Sequence, residues 1–177
     1  LENARLFDET QRLLKETEQR AAELSIINSV QTALASKLEM QAIYDLVGEK
    51  IREIFDAQDA GIAIVDRERE LILLKYLFEE GQIYRDKSFP LGEGLTSYVL
   101  DTREPLLIQS PEDTEKYKDK FIYPGSKAVS KSWLTVPILI GGEAIGGLNI
   151  QNFEREYAYS ESDVRLLQTL GSSLGVA

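Results

Sequence analysis

Residues Ser132–Asn152 read SWLTVPILIGGEAIGGLNIQN. One long apolar run meets a Gly141-Gly142 break, and a second, thinner apolar run follows. Adjacent glycines supply the positive φ angles that a two-residue hairpin turn demands. The spacing therefore predicts paired antiparallel strands over 132–140 and 144–153. Pro137 has no backbone donor, which places its strand at a sheet edge or a bulge. Trp133 and Thr135 share one face of the first strand, and Ser132, Leu134 and Val136 share the other. Asn149 and Gln151 share a face of the second. Either face can meet helices.

Downstream, Ser160-Glu161-Ser162-Asp163 form a capping box that opens a closing helix. Val164, Leu167, Leu170 and Leu174 fall on one face of it, while Gly171 and Gly175 leave it dependent on a packing partner. Upstream, Ser110-Pro111-Glu112-Asp113 is a second capping signature, opening a short polar helix to about residue 120. Residues 105–109 (PLLIQ) read as a strand, 95–102 (LTSYVLDT) as a short helix, and Pro90–Gly94 as the loop before it. GIAIV (61–65) and ELILLKYLFE (70–79) read as hairpin-linked strands, and 83–89 as one further short strand. Residues 40–55 carry Ile43, Leu46, Val47, Ile51, Ile54 and Phe55 at helical spacing. Hairpins at both ends of the strand set, with helices before and after, predict an α+β fold. It has a five- or six-stranded antiparallel sheet with helices on one face, plus a long N-terminal helix.

That long helix occupies residues 1–37, which contain no Pro or Gly. Leu6, Leu13, Ile27 and Leu34 recur at seven-residue spacing, and Phe7, Leu14, Ala21 and Leu24 form a neighbouring stripe, with Arg20 interrupting the seam. The pattern predicts a two-stranded coiled coil with a polar break. The competing reading is an amphipathic helix laid on its own domain. The expected organisation is 1–37 as coiled coil and 38–177 as the globular domain.

The length of 177 residues suits one domain, or one domain with an appendage. A net charge of −10 repels phosphate backbones and anionic lipid, so neither nucleic acid nor membrane is an expected partner. No apolar run reaches membrane-spanning length, and LENARLFDETQR is unlike a signal peptide, so a cytoplasmic protein is expected. The chain contains no His and no Cys. That removes a Ser-His-Asp triad, a cysteine nucleophile and a phosphoaccepting histidine. It also removes the common zinc sites, haem held by His or Cys, and a thioether-linked chromophore. No cofactor is expected. Acid–base chemistry would fall to Asp, Glu, Lys or Tyr, so composition favours a binding module over an enzyme.

Three segments resemble the GAF family of small-molecule sensor domains over about residues 24–177. PLGEGLTSYVLDTREPLLI is similar to the family's Gly-x-Gly loop, short helix and returning strand. SWLTVPILIGGEAIGGLNIQN is similar to its last hairpin, and YSESDVRLLQTLGSSLGVA to its closing helix. LENARLFDETQ resembles the helix that joins one such domain to the next. The resemblance implies a piece of a larger, possibly tandem, signalling protein. It also implies homodimerisation through the N- and C-terminal helices and a fused output domain of kinase, cyclase or phosphatase type. Some positions depart from the family. Ser97 stands where it often has Gly, Ser110 where it often has Asp, and Phe153 and Val164 where its cyclic-nucleotide subgroup has Lys and Glu. The bilin, haem and methionine-sulfoxide reductase subgroups require Cys or His.

A sensor of this type takes an unidentified small ligand under the polar segment 110–127, which carries Tyr117, Phe121 and Tyr123. Aromatics among polar residues suit a lid, apolar in body and polar at the tip. The ligand-contact candidates are Thr96 and Ser97 on the short helix, Tyr117, Phe121 and Tyr123 in the lid, and Ser132, Trp133, Thr135 and Asn149 on the hairpin. Both hairpin faces stay open, and no catalytic residue or metal ligand is nominated. Two rivals are a ligand-free dimerisation spacer, its pocket filled by its own aromatics, and an enzyme working through Tyr or clusters such as Glu79-Glu80 and Glu112-Asp113.

Overall fold

The computed structural model describes residues 1–35, 40–121 and 129–176, with the side chains of all but 33–35. The described strands are β1 (Asp59–Asp66), β2 (Leu71–Glu79), β3 (Gln82–Tyr84), β4 (Lys87–Pro90), β5 (Leu106–Ile108), β6 (Ser132–Ile140) and β7 (Glu143–Asn152). They form one antiparallel sheet in the order β3-β2-β1-β7-β6-β5, with β4 also on β2. The α+β expectation holds, with one strand more than expected. Residues 83–89, read as one strand, are two short strands broken at Arg85-Asp86, pairing with opposite ends of β2.

Helices α1 (Glu2–Ala35), α2 (Met40–Phe55) and α5 (Glu161–Gly175) pack on one face. Helix α3 (Gly94–Thr102) lies on the other, with the segment holding α4 (Pro111–Lys116) and a 3-10 turn (Lys118–Lys120). The α1/α2/α5 face holds a continuous core. Ile51, Ile62, Tyr76, Leu134, Val136, Ile138, Leu148, Ile150 and Leu167 are fully buried in it. Close approach explains the helix glycines. A Cβ on Gly171 would lie 3.2 Å from the Pro137 carbonyl, and one on Gly175 2.5 Å from that of Leu139, so α5 lies directly on β6. Gly141 and Gly142 take φ of 56° and 81°, as the hairpin requires. Pro137 pairs with Gly147 on one side and lies beyond β5 on the other, so its missing donor faces an open edge.

A bulge reverses the faces of β2. Ile62 pairs with Tyr76 and Ala63 with Leu74, leaving Lys75 unpaired on the ladder. Ile72 and Leu74 therefore pack on the α3 side, and Tyr76 and Phe78 on the helix side. The Gln41 side chain on α2 donates to the Lys75 carbonyl at 2.8 Å, capturing the acceptor that the bulge frees. The Tyr76 ring lies under α2, its hydroxyl donating to Glu49 at 3.1 Å, with the Arg52 guanidinium 3.5 Å over the Phe78 ring beside it.

Helix α1 has two apolar sides. Ile26 and Val30 enter the core, whereas Leu6, Phe7, Leu13, Leu14 and Leu24 are exposed. At 3.6 residues per turn the exposed set lies on the side away from Ile26 and Val30. The last third of the helix is thus packed on the domain, and the first two thirds carry an unburied stripe.

A side chain at Gly48 tests the α2 contact, because its Cβ would lie 2.4 Å from the Tyr76 ring. Gly48→Val is expected to lower stability by about 1–3 kcal/mol through overpacking. Tyr76→Phe, which loses only a hydrogen bond to an exposed carboxylate, should cost about 1 kcal/mol or less. Urea unfolding of the two variants reads the difference; equal losses would mean that the contact is not tight.

Candidate functional site

Strand pairing places the hairpin faces. Residues opposite one another in an antiparallel ladder share a face. Asp59 pairs with Gln151, Gln151 with Trp133 and Trp133 with Ile108, giving one row across β1, β7, β6 and β5. Gly61, Asn149, Thr135 and Leu106 form the next. Both rows lie under α3 and the lid segment, because Leu134, Val136, Leu148 and Ile150 of the same strands enter the helix-side core.

Apolar packing on the α3 face is divided. Ala63, Ile72, Leu100 and Ala144 form one cluster, and Leu95, Val99, Leu106 and Ile108 another. The polar members of the two rows separate them. Thr135 is fully buried, and its Oγ1 accepts from the Trp133 indole N–H at 2.6 Å, which fixes the ring. The hydroxyl proton is left for a further acceptor. Asp59 is a buried carboxylate at the head of β1. Asn149 is 9% exposed, and its carboxamide makes no hydrogen bond among the described residues. It lies over Gly61, where a Cβ would come 2.3 Å from its Oδ1. Gly61 is therefore the floor that admits Asn149.

Thr96 descends from α3 onto the sheet, its methyl facing Gly147. Ser97 is buried, but its Oγ accepts from the Gly92 N–H at 3.0 Å and so closes the loop before α3. On the lid side, Tyr98 and Tyr117 meet edge to face at 5.5 Å, as do Phe121 and Trp133 at 5.7 Å. The structure thus places Thr96, Tyr117, Phe121, Trp133, Thr135 and Asn149 on the α3 side of the sheet, while Ser97 turns its hydroxyl to the loop before α3. Ser132 is separated from them: it faces the opposite side, where its hydroxyl donates to the Arg155 carbonyl at 2.7 Å and accepts from the Ala158 N–H at 3.1 Å. Tyr123 lies outside the described residues.

Sequence reading passed over Asp59, Gly61 and Tyr98 as site residues. A carboxylate two residues before a glycine, both on the same face of an otherwise apolar strand, is the signal that marks the first two. Gln109 was missed as well. Its N–H donates to Asp113 Oδ2 at 3.1 Å, its carbonyl accepts from Tyr157 N–H at 3.0 Å, and its Oε1 accepts from Tyr159 N–H at 3.2 Å. One residue so ties the lid helix α4, the edge strand β5 and the lead into α5. The Gln109 N–H, ahead of Lys116 and Ser110, holds the Asp113 carboxyl below its usual range despite partial burial. Among the described residues no group of three His, Cys, Asp or Glu side chains is placed to hold a metal ion. A groove of about 1100 Å³ also opens between α1 and α5, floored by Ile54 and Leu166 and walled by Lys15, Arg20, Asp163 and Arg165.

A family model described as a GAF domain matches residues 37–177. The chain is similar to the GAF domain of an Acinetobacter phosphoenolpyruvate-protein phosphotransferase, at 20% identity over 90% of this chain and 91% of that one, with a TM-score of 0.75. A free methionine-R-sulfoxide reductase from Neisseria meningitidis, in complex with its substrate, matches at 18% identity over 87% and 86%, TM-score 0.70. Residues 122 to 287 of a methyl-accepting chemotaxis protein match at 18% identity over 85% and 93%, TM-score 0.67. Identities this low establish the fold.

A depressed carboxyl stabilises the fold above its unfolded value of about 3.9 and stops doing so as pH falls through that value toward the lower folded one. Asp113→Asn should therefore be the less stable protein at pH 5 and lose less on acidification to pH 3 than the parent. Urea midpoints at the two pH values check this, and parallel losses would deny Asp113 its role in anchoring the lid.

Proposed function

The chain belongs to the GAF domain family, and from that premise we propose that it is a non-enzymatic regulatory domain that binds a small molecule between the sheet and the lid segment. It works in the cytoplasm as part of a larger signalling protein, dimerises through its helices and passes the bound state to a fused output domain. The observation that carries this reading is Asn149. Its side chain is largely covered yet hydrogen-bonds no described residue, so its two donors and its acceptor are open to a ligand. The divided apolar packing around it supports the same reading.

The sulfoxide reductases with this fold raise the question of catalysis. A reductase that works through thiols needs cysteine, and this chain has none. A second reading, a ligand-free spacer, draws support from the two aromatic pairs that occupy the lid side. A thermal-shift screen of cyclic nucleotides, amino acids, organic acids and aromatic metabolites separates the two. A ligand at about a hundred times its Kd adds roughly 2.7 kcal/mol and raises Tm visibly. No shift across the panel would favour the spacer.

Dimerisation rests on the exposed stripe of α1. Leu13 and Leu24 are 50% and 59% exposed, so charging them leaves the domain core intact. Leu13→Lys with Leu24→Lys should convert a dimer into a folded monomer by light scattering. A variant that stays dimeric moves the interface elsewhere, and a monomeric parent removes it.

A further inference from the structure

Resting on the sensor reading above, we propose that Gln109 is a latch: through it the lid segment sets the conformation of the chain that leads into α5. Gln109 follows the edge strand β5 directly and precedes Ser110, the N-cap of the lid helix α4. Its three hydrogen bonds reach two separate segments. The N–H donates to Asp113 Oδ2 on α4 at 3.1 Å. The carbonyl accepts from the Tyr157 N–H at 3.0 Å, and the side-chain Oε1 accepts from the Tyr159 N–H at 3.2 Å. One residue thus holds the lid with its donor and the lead into α5 with both its acceptors.

The segment it grips is strained. Tyr157 has φ of 51°, in the left-handed region that a bulky side chain rarely adopts. Its ring is 69% exposed, so side-chain packing does not hold it there. Backbone hydrogen bonds do. Gln109 takes the N–H groups of Tyr157 and Tyr159, and Ser132 Oγ takes that of Ala158 between them. A conformation of this kind persists only while its surroundings over-determine it. Ser132 belongs to the central ladder of β6, whereas Gln109 is the holder that is also bonded to the lid. Tyr159 is buried in the helix-side core, and Ser160 opens α5 with its capping box, so a relaxation at Tyr157 reaches α5 within three residues. A ligand that shifts α4 changes the hold on a segment already poised to move.

Amide hydrogen exchange of the whole chain, followed by NMR, tests the latch with no ligand present. Asp113→Ala removes the lid acceptor. It should speed exchange at Tyr157 and Tyr159 about 5- to 10-fold, the range of one hydrogen bond, beyond any change at Leu148 in the core strand, which reports global opening. Gln109→Leu removes Oε1 at similar size. It should release Tyr159 to the same extent and leave Asp113→Ala with no further effect there. Gln109→Glu keeps an acceptor and should keep Tyr159 protected, which covers the case in which leucine disturbs folding. The latch is overturned if Asp113→Ala leaves both tyrosine amides protected, or if they gain no more than Leu148 does. It is also overturned if Asp113→Ala acts equally on Tyr159 with and without Gln109→Leu, or if Gln109→Glu exposes Tyr159 as leucine does. Each of these results leaves the sensor reading intact, because ligand binding is decided separately by the thermal-shift panel.

Discussion

The register of β7 is the constraint on which the rest depends. This strand pairs with β1 on one side and β6 on the other, and its side chains alternate between two environments. Leu148 and Ile150 complete the helix-side core at 0% exposure, while Asn149 and Gln151 turn toward α3. A slip of one residue would exchange the sets, sending two carboxamides into the core and two aliphatic chains into the site. Gly61 holds the arrangement from the other side. Gly61 makes room for the Asn149 side chain, which a Cβ there would meet at 2.3 Å. The bulge at Lys75 and a second irregularity at Ile138/Leu139 pin the neighbouring ladders.

The two faces consequently have different duties. On the helix side, one continuous cluster of aliphatic chains ties α1, α2 and α5 to the sheet. On the α3 side, two smaller clusters flank a polar middle. Hydrogen bonds also join the two faces round the sheet edge. Gln109 bonds the lid helix through Asp113 and the lead into α5 through Tyr157 and Tyr159. Ser132 and Asn152 hold the same lead from beneath, by way of residues 154, 155 and 158. The capping box at Ser160 then starts α5 at a fixed point. The segment 110–121 is thus hydrogen-bonded to the residues that lead into α5.

Local rules made much of this legible. The Gly141-Gly142 turn, both serine caps and the apolar faces of α2 and α5 follow from residues within a few positions of one another, and the structure repeats them. The features that escaped are set by distant partners. Nothing in ELILLKYLF marks Lys75 as the residue where the face reverses, because the group that captures its carbonyl, Gln41, lies 34 positions earlier. Ser132 and Thr135 look alike in sequence, yet one hydroxyl serves the loop at Arg155 and the other the Trp133 indole. A carboxylate opening a strand reads as solvated surface, and pairing with Gln151 is what carries Asp59 under cover. The site was legible as a set of residue types; the choice of face required the register.

Helix α1 shows how such a domain can act beyond its own boundary. Ile26 and Val30 anchor it in the core, and it also lies against α2 and α5. Its exposed leucines and Phe7 face the other way. Under the proposed dimeric reading, two such stripes would lie side by side, and ligand coupling would need only a difference in affinity between two packings of the same helices. Arg20, which interrupts the stripe, pairs with Glu16 of its own helix and would add no apolar contact there.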